Sequence, residues 1–119
     1  MITELKQIVA KYMQIEPEEI DEINKNGKLK HTQESVLSRY LICYILREKT
    51  GYSLGKIGEC LELNHATVHH GLKVVKNEAE TNVKFKQIRD AVMYEVDILF
   101  EIPYTIKQDV ERQIMSYFT

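Results

Sequence analysis

The chain has 119 residues, 44% of them apolar, and a formal net charge of −2. That length suits one domain with a real core, and no apolar run approaches the roughly 20 residues that a membrane span needs. Two prolines and five glycines leave long uninterrupted stretches; strand-like alternation is scarce, and the expected fold is all-α.

The N-terminal stretch MITELKQIVAKY mixes acids and bases on an amphipathic helix, which is not a signal-peptide pattern. Thr3 is placed to cap a helix through about Met13, with Leu5, Ile8, Val9, Tyr12 and Met13 as its apolar stripe. Pro17 then opens a short helix, PEEIDEI, where its missing N–H does no harm. Glu16, Glu18, Glu19, Asp21 and Glu22 make this corner acidic; a solvated helix start explains them more simply than a metal site. Residues 24–31, NKNGKLKH, read as a polar loop whose Lys28, Lys30 and His31 reach phosphates. Thr32 caps a long helix to about Thr50, ended by Gly51. Its broad apolar face makes it the expected central helix, and Arg39, Arg47 and Lys49 are expected to project from its polar side toward phosphate.

The stretch from Ser53 to Lys76 carries the chemistry. Ser53 caps a helix to Leu61, with Leu54, Ile57 and Leu61 on one face. Gly58 falls on the inner side, where a side chain would hold a crossing helix away. Glu62, Leu63 and Asn64 form the turn, and Asn64 caps a second helix that buries Val68, Leu72 and Val75. His65, Ala66, Thr67, His69, His70 and Lys73 stay exposed. Two short helices in this order form the pattern of a helix-turn-helix, and hydrogen-bonding groups at the start of its second helix suit base edges in a major groove.

Charge is unevenly spread. Residues 25–76 hold nine bases and four acids, net +5, with all four histidines; the rest holds seven bases and fourteen acids, net −7. Such asymmetry is the footprint of one face on nucleic acid. After Lys76 the chain turns acidic at residues 77–80. Thr81 is placed to cap a helix to about Phe100, with Val83, Ile88, Val92, Val96 and Leu99 inward, and Pro103 begins a last helix. These helices either close the core or form a homodimer face; both fit the spacing. Cys43 and Cys60 fall within helices and are read as free thiols.

Three segments resemble one family. LKQIVAKYMQIEPEEI, SRYLICYILREKTGYSLGKIGECL and NHATVHHG are similar to successive parts of the C-terminal DNA-binding domain of the bacterial replication initiator DnaA, a Trp-repressor-like helix-turn-helix, over about residues 2–77. The resemblance implies double-stranded DNA recognition. Asn64, His65 and Thr67 match positions that contact bases or fix the recognition helix. Arg39 and Arg47 match basic positions that approach DNA, and His70 matches a late histidine of the signature. Leu54 and Gly55 match the start of the reading pair near the phosphates. This chain departs from the family at several places. Asn64 stands for Asp, Ala66 for a base-contacting Thr, Tyr40 for Gln, and His31 stands near a minor-groove Arg. The turn is one residue shorter, with Leu63 in it. There is no G-x-x-x-x-G-K-[ST] loop, so the expectation is a stand-alone reading head without the ATPase module, from a bacterium or a mobile element.

The expected function is therefore sequence-specific binding of double-stranded DNA in replication or transcription control. Asn64, His65, Thr67 and His69 would read bases. Lys28, Lys30, His31, Arg39, Arg47, Lys49, Lys56, His70 and Lys73 would hold the backbone. Residues 1–80 form the reading domain and 81–119 the appended helices. A protein-interaction module that keeps the fold is the alternative. No catalytic set, cofactor, metal or membrane partner is expected, and the cytoplasm is the expected location. His65 and His69 have zinc-like spacing, but Ala66 stands where a zinc protease pattern has its Glu.

Overall fold

The computed structural model describes residues 1–20 and 32–101. Among the described residues there are five α-helices, α1 (Ile2–Met13), α2 (Gln33–Thr50), α3 (Leu54–Leu61), α4 (His65–Thr81) and α5 (Val83–Glu101), and a 3-10 turn at Pro17–Ile20. The fold is all-α. No helix among these residues is long and apolar enough to cross a membrane.

The α2 helix is the centre, and every other helix packs on it. Leu41, Ile42, Cys43, Ile45 and Leu46 are fully buried there. Five apolar residues in a span of six cover nearly all sides of a helix, so α2 has to be surrounded. Burial pushes the Cys43 thiol up to about 12, and both Cys43 and half-buried Cys60 are free. Thr32 caps α2 by accepting the Ser35 N–H at 3.2 Å. Gly51 ends it in the left-handed region at φ 70, where glycine has no steric penalty.

Several boundaries differ from the sequence reading. Helix α1 begins at Ile2, so Thr3 lies inside its first turn and does not cap it. Helix α4 does not stop near Lys76. Val75 and Ala79 continue its inward stripe, and this burial carries the helix through the acidic residues. The break is one extended residue, Asn82. Its Oδ1 accepts the Phe85 N–H at 3.1 Å and caps α5. Thr81, the expected cap, instead donates its hydroxyl to the Asn77 carbonyl within α4 at 2.9 Å. On α5 the inward residues are Phe85, Val92 and Val96, whereas Val83 is 74% exposed. The expected helix after Pro103 lies outside the described residues.

Candidate nucleic-acid interface

Helices α3 and α4 form the helix-turn-helix. Ser53 Oγ accepts the Lys56 N–H at 3.1 Å and starts α3. Glu62 ends it in the left-handed region, at φ 56. The Leu63 N–H then returns to the Gly58 carbonyl at 2.9 Å, and the half-buried Leu63 side chain packs on the core. Gly58 is required here for a more specific reason than helix crossing. A Cβ at Gly58 would fall on the Leu63 carbonyl oxygen, and the nearest α4 atom, Val68 Cγ2, is 3.8 Å away. The turn's own backbone therefore occupies the side-chain space. Asn64 Oδ1 accepts the Thr67 N–H at 2.7 Å and begins α4.

A second close fit joins α4 to α2. A Cβ at Gly71 would lie 2.5 Å from Tyr40 Cδ1. The glycine admits the Tyr40 ring, which also meets the His70 ring edge-on with centroids 5.9 Å apart. Tyr40 belongs to the apolar face expected of the long helix, whereas Gly71 carries no expectation from the sequence. A glycine in the middle of a helix, with no turn to make, was the available signal.

The α4 surface is arranged as expected at its start. Asn64, His65, Ala66, His69, His70 and Lys73 are exposed, and Thr67 is half-buried. His65, His69, Lys73 and Lys76 are spaced four, four and three apart, so they share one strip of the helix. Lys76 extends that strip and was counted earlier only as charge.

The candidate phosphate contacts divide. Lys56 is exposed, with Nζ 4.0 Å from the Glu59 carboxylate and 5.9 Å from the Tyr52 ring centroid. Arg47 is exposed and one amine donates to the Tyr52 carbonyl at 2.7 Å. That bond ties the end of α2 to the start of α3. Arg39 does not project toward solvent. It is 7% exposed, and its Nε donates to the Ile20 carbonyl at 2.5 Å. Ile20 ends the 3-10 turn, and Arg39 supplies the donor that its buried carbonyl needs. Lys49 is half-buried in an ion pair with Asp97 of α5. Both side chains thus have partners within the fold and do not project freely from α2. Lys28, Lys30 and His31 lie outside the described residues.

Helix α1 also meets α5. Glu95 Oε1 accepts from Lys11 Nζ and from the Tyr12 hydroxyl, each at 2.5 Å. The Lys11 ammonium, and then the Tyr12 hydroxyl, hold the Glu95 carboxyl below its ordinary value. The Glu95 hydrogen bond raises both Lys11 and Tyr12.

The model of the bacterial dnaA protein helix-turn-helix family matches residues 2–75, from α1 through most of α4. Chromosomal replication initiator proteins DnaA from two Porphyromonas gingivalis strains, ATCC 33277 and W83, are each 34% identical over 83 residues. Those residues are 69% of this chain and 16% of each relative, so the chain spans a small part of the relatives it matches. With the match running from α1 through α3 and most of α4, the chain belongs to the bacterial DnaA helix-turn-helix family.

Proposed function

We propose that this chain binds double-stranded DNA in a sequence-specific manner, with the start of α4 in the major groove, in replication or transcription control. One observation carries the reading. The exposed polar row of Asn64, His65, His69 and Lys73 stands at the start of a helix that follows directly on the turn closed by Gly58 and Leu63. Family membership supports the same role, since the named relatives are replication initiators.

In this reading Asn64, His65, Thr67 and His69 face base edges, and Arg47, Lys56, His70 and Lys73 hold phosphates. Lys28, Lys30 and His31 are proposed as phosphate contacts from the sequence alone. Asn64 has a definite polarity. Its Oδ1 is used by the Thr67 N–H, so its amide NH2 is the group left for DNA. That group matches acceptors such as guanine O6 and N7, adenine N7 or thymine O4. Residues 1–80 form the reading unit. Residues 81–119 support it, and a homodimer through them would pair two such heads on a two-fold site.

Selection from a random duplex pool, followed by affinity for the winner and for scrambled DNA at two salt concentrations, tests the proposal. The double variant H65A/T67A should lose binding to the winner far more than to scrambled DNA. K73A should weaken both alike and flatten the salt slope by roughly 0.9. Equal losses from H65A/T67A on both duplexes would refute base reading. One observation favours the alternative, an interaction module: Tyr94, Ile98 and Phe100 on α5 are 69%, 40% and 39% exposed. Absence of DNA binding at low salt would favour that module.

A further inference from the structure

We propose that the corner between α4 and α5 is a second phosphate-binding surface, which grips the backbone of duplex DNA flanking the site read by α4. The inference rests on the DNA-reading role of α4 proposed above. It extends that role to α5, a helix wholly beyond the residues that the family model matches.

A cleft of about 350 Å³ opens at this corner, with Lys76, Lys86 and Arg89 in its walls and Glu80 among them. Lys76 and Lys86 are exposed, and neither has an ion-pair partner among the described residues. Arg89 is held in place, 3.2 Å from the Asp90 carboxylate and with its guanidinium carbon 6.0 Å from the Tyr44 ring centroid. The cleft therefore has one fixed cation and two free ones.

The position of the cleft follows from α4. Lys76 ends the strip that begins at His65, eleven residues and about 16 Å farther along the axis. A major groove is about 12 Å wide. With the His65 end in the groove, Lys76 has passed its edge, and the cleft beyond it lies over the bordering strand.

Charge along α5 points the same way. Lys84, Lys86 and Arg89 fall in its first half, with Asp90 as the single acid beside them, and Glu95, Asp97 and Glu101 fall in its second half. Glu95 is paired with Lys11, and Asp97 with Lys49. The acids at the far end are thus partly neutralised inside the fold, while the lysines at the near end are left to solvent. Duplex DNA, with one negative charge per roughly 1.7 Å of axis, complements that surface.

The test uses the full chain and two duplexes carrying the selected site. One is trimmed to the base pairs that the selection specifies; the other is extended on both sides with scrambled sequence. The wild type should prefer the extended duplex. K76A/K86A should lose roughly tenfold on it, lose little on the trimmed one, and flatten the salt slope on the extended duplex by about 2, near 0.9 for each contact. E80Q should bind the extended duplex more tightly than wild type. Circular dichroism checks that the exposed substitutions leave the fold intact. An unchanged slope, or equal losses on both duplexes, overturns the second surface while leaving base reading in place. If the wild type binds neither duplex, the α4 reading has failed and this inference falls with it.

Discussion

On one side of α2, the α3–α4 pair is held by backbone fit. Gly58 leaves room for the Leu63 carbonyl, and side-chain caps at Ser53 and Asn64 set where each helix begins. Helices α1 and α5, beside their buried apolar residues, are joined by polar side chains. Lys11 and Tyr12 converge on Glu95, and Lys49 pairs with Asp97. The first arrangement has one solution, because a backbone atom cannot move aside cheaply. The second involves long, partly exposed side chains that water can replace. A functional surface needs its groups kept in position to a fraction of an ångström; a supporting helix needs only to stay attached.

Five substitutions break or sharpen this contrast. G58A should have the largest effect. Its Cβ meets backbone and forces the turn to shift, so a net loss of about 2–3 kcal/mol in denaturant unfolding is expected even after the helix gains an alanine. G71A should cost less, about 1–2 kcal/mol, because the obstacle is the Tyr40 ring, which can tilt. Adding Y40L should recover most of that loss; failure to recover would mean the ring is not what Gly71 accommodates. S53A should cost about 1 kcal/mol by removing the α3 cap.

E95Q should have the smallest effect, and its pH dependence identifies it. The folded state lowers the Glu95 pKa, so its stabilisation is present above the ordinary carboxylate value of 4.5 and is lost as pH falls through the lowered value. The same contact raises Tyr12 and Lys11, whose stabilisation is present below their ordinary values of 10.0 and 10.5 and is lost above them. The gap in Tm between wild type and E95Q should therefore be widest from about pH 5 to 9. It should close at either extreme. A gap that ignores pH would show that charge does not hold α5 to α1.

The same contrast explains what was legible in the sequence. The caps at Thr32, Ser53 and Asn64, and the stop at Gly51, all act within three or four residues, and each follows from local chemistry. The exposed start of α4 follows from helical spacing for the same reason. The fates of Arg39 and Lys49 depend on distant partners. Arg39 bonds a carbonyl 19 residues away, and the partner of Lys49 is on α5. The Lys11–Glu95 contact spans 84 positions. A cation on a polar helix face looks alike in sequence whether it faces phosphate or a neighbouring helix. The end of α4 was misplaced because residues 77–80 were read for charge, while Val75 and Ala79 carried the helix onward by burial.

The sealed thiol of Cys43 gives the core a built-in clock. With burial pushing it up to about 12, only roughly one molecule in ten thousand would carry the thiolate at pH 8, and the side chain has no exposed surface. A disulfide reagent can then modify Cys43 only as often as α2 loses its neighbours. Cys60, half-buried on α3, is partly within reach in the folded molecule. The ratio of the two labelling rates would report how rarely the core opens, with Cys60 as the reference for a thiol that does not wait for it.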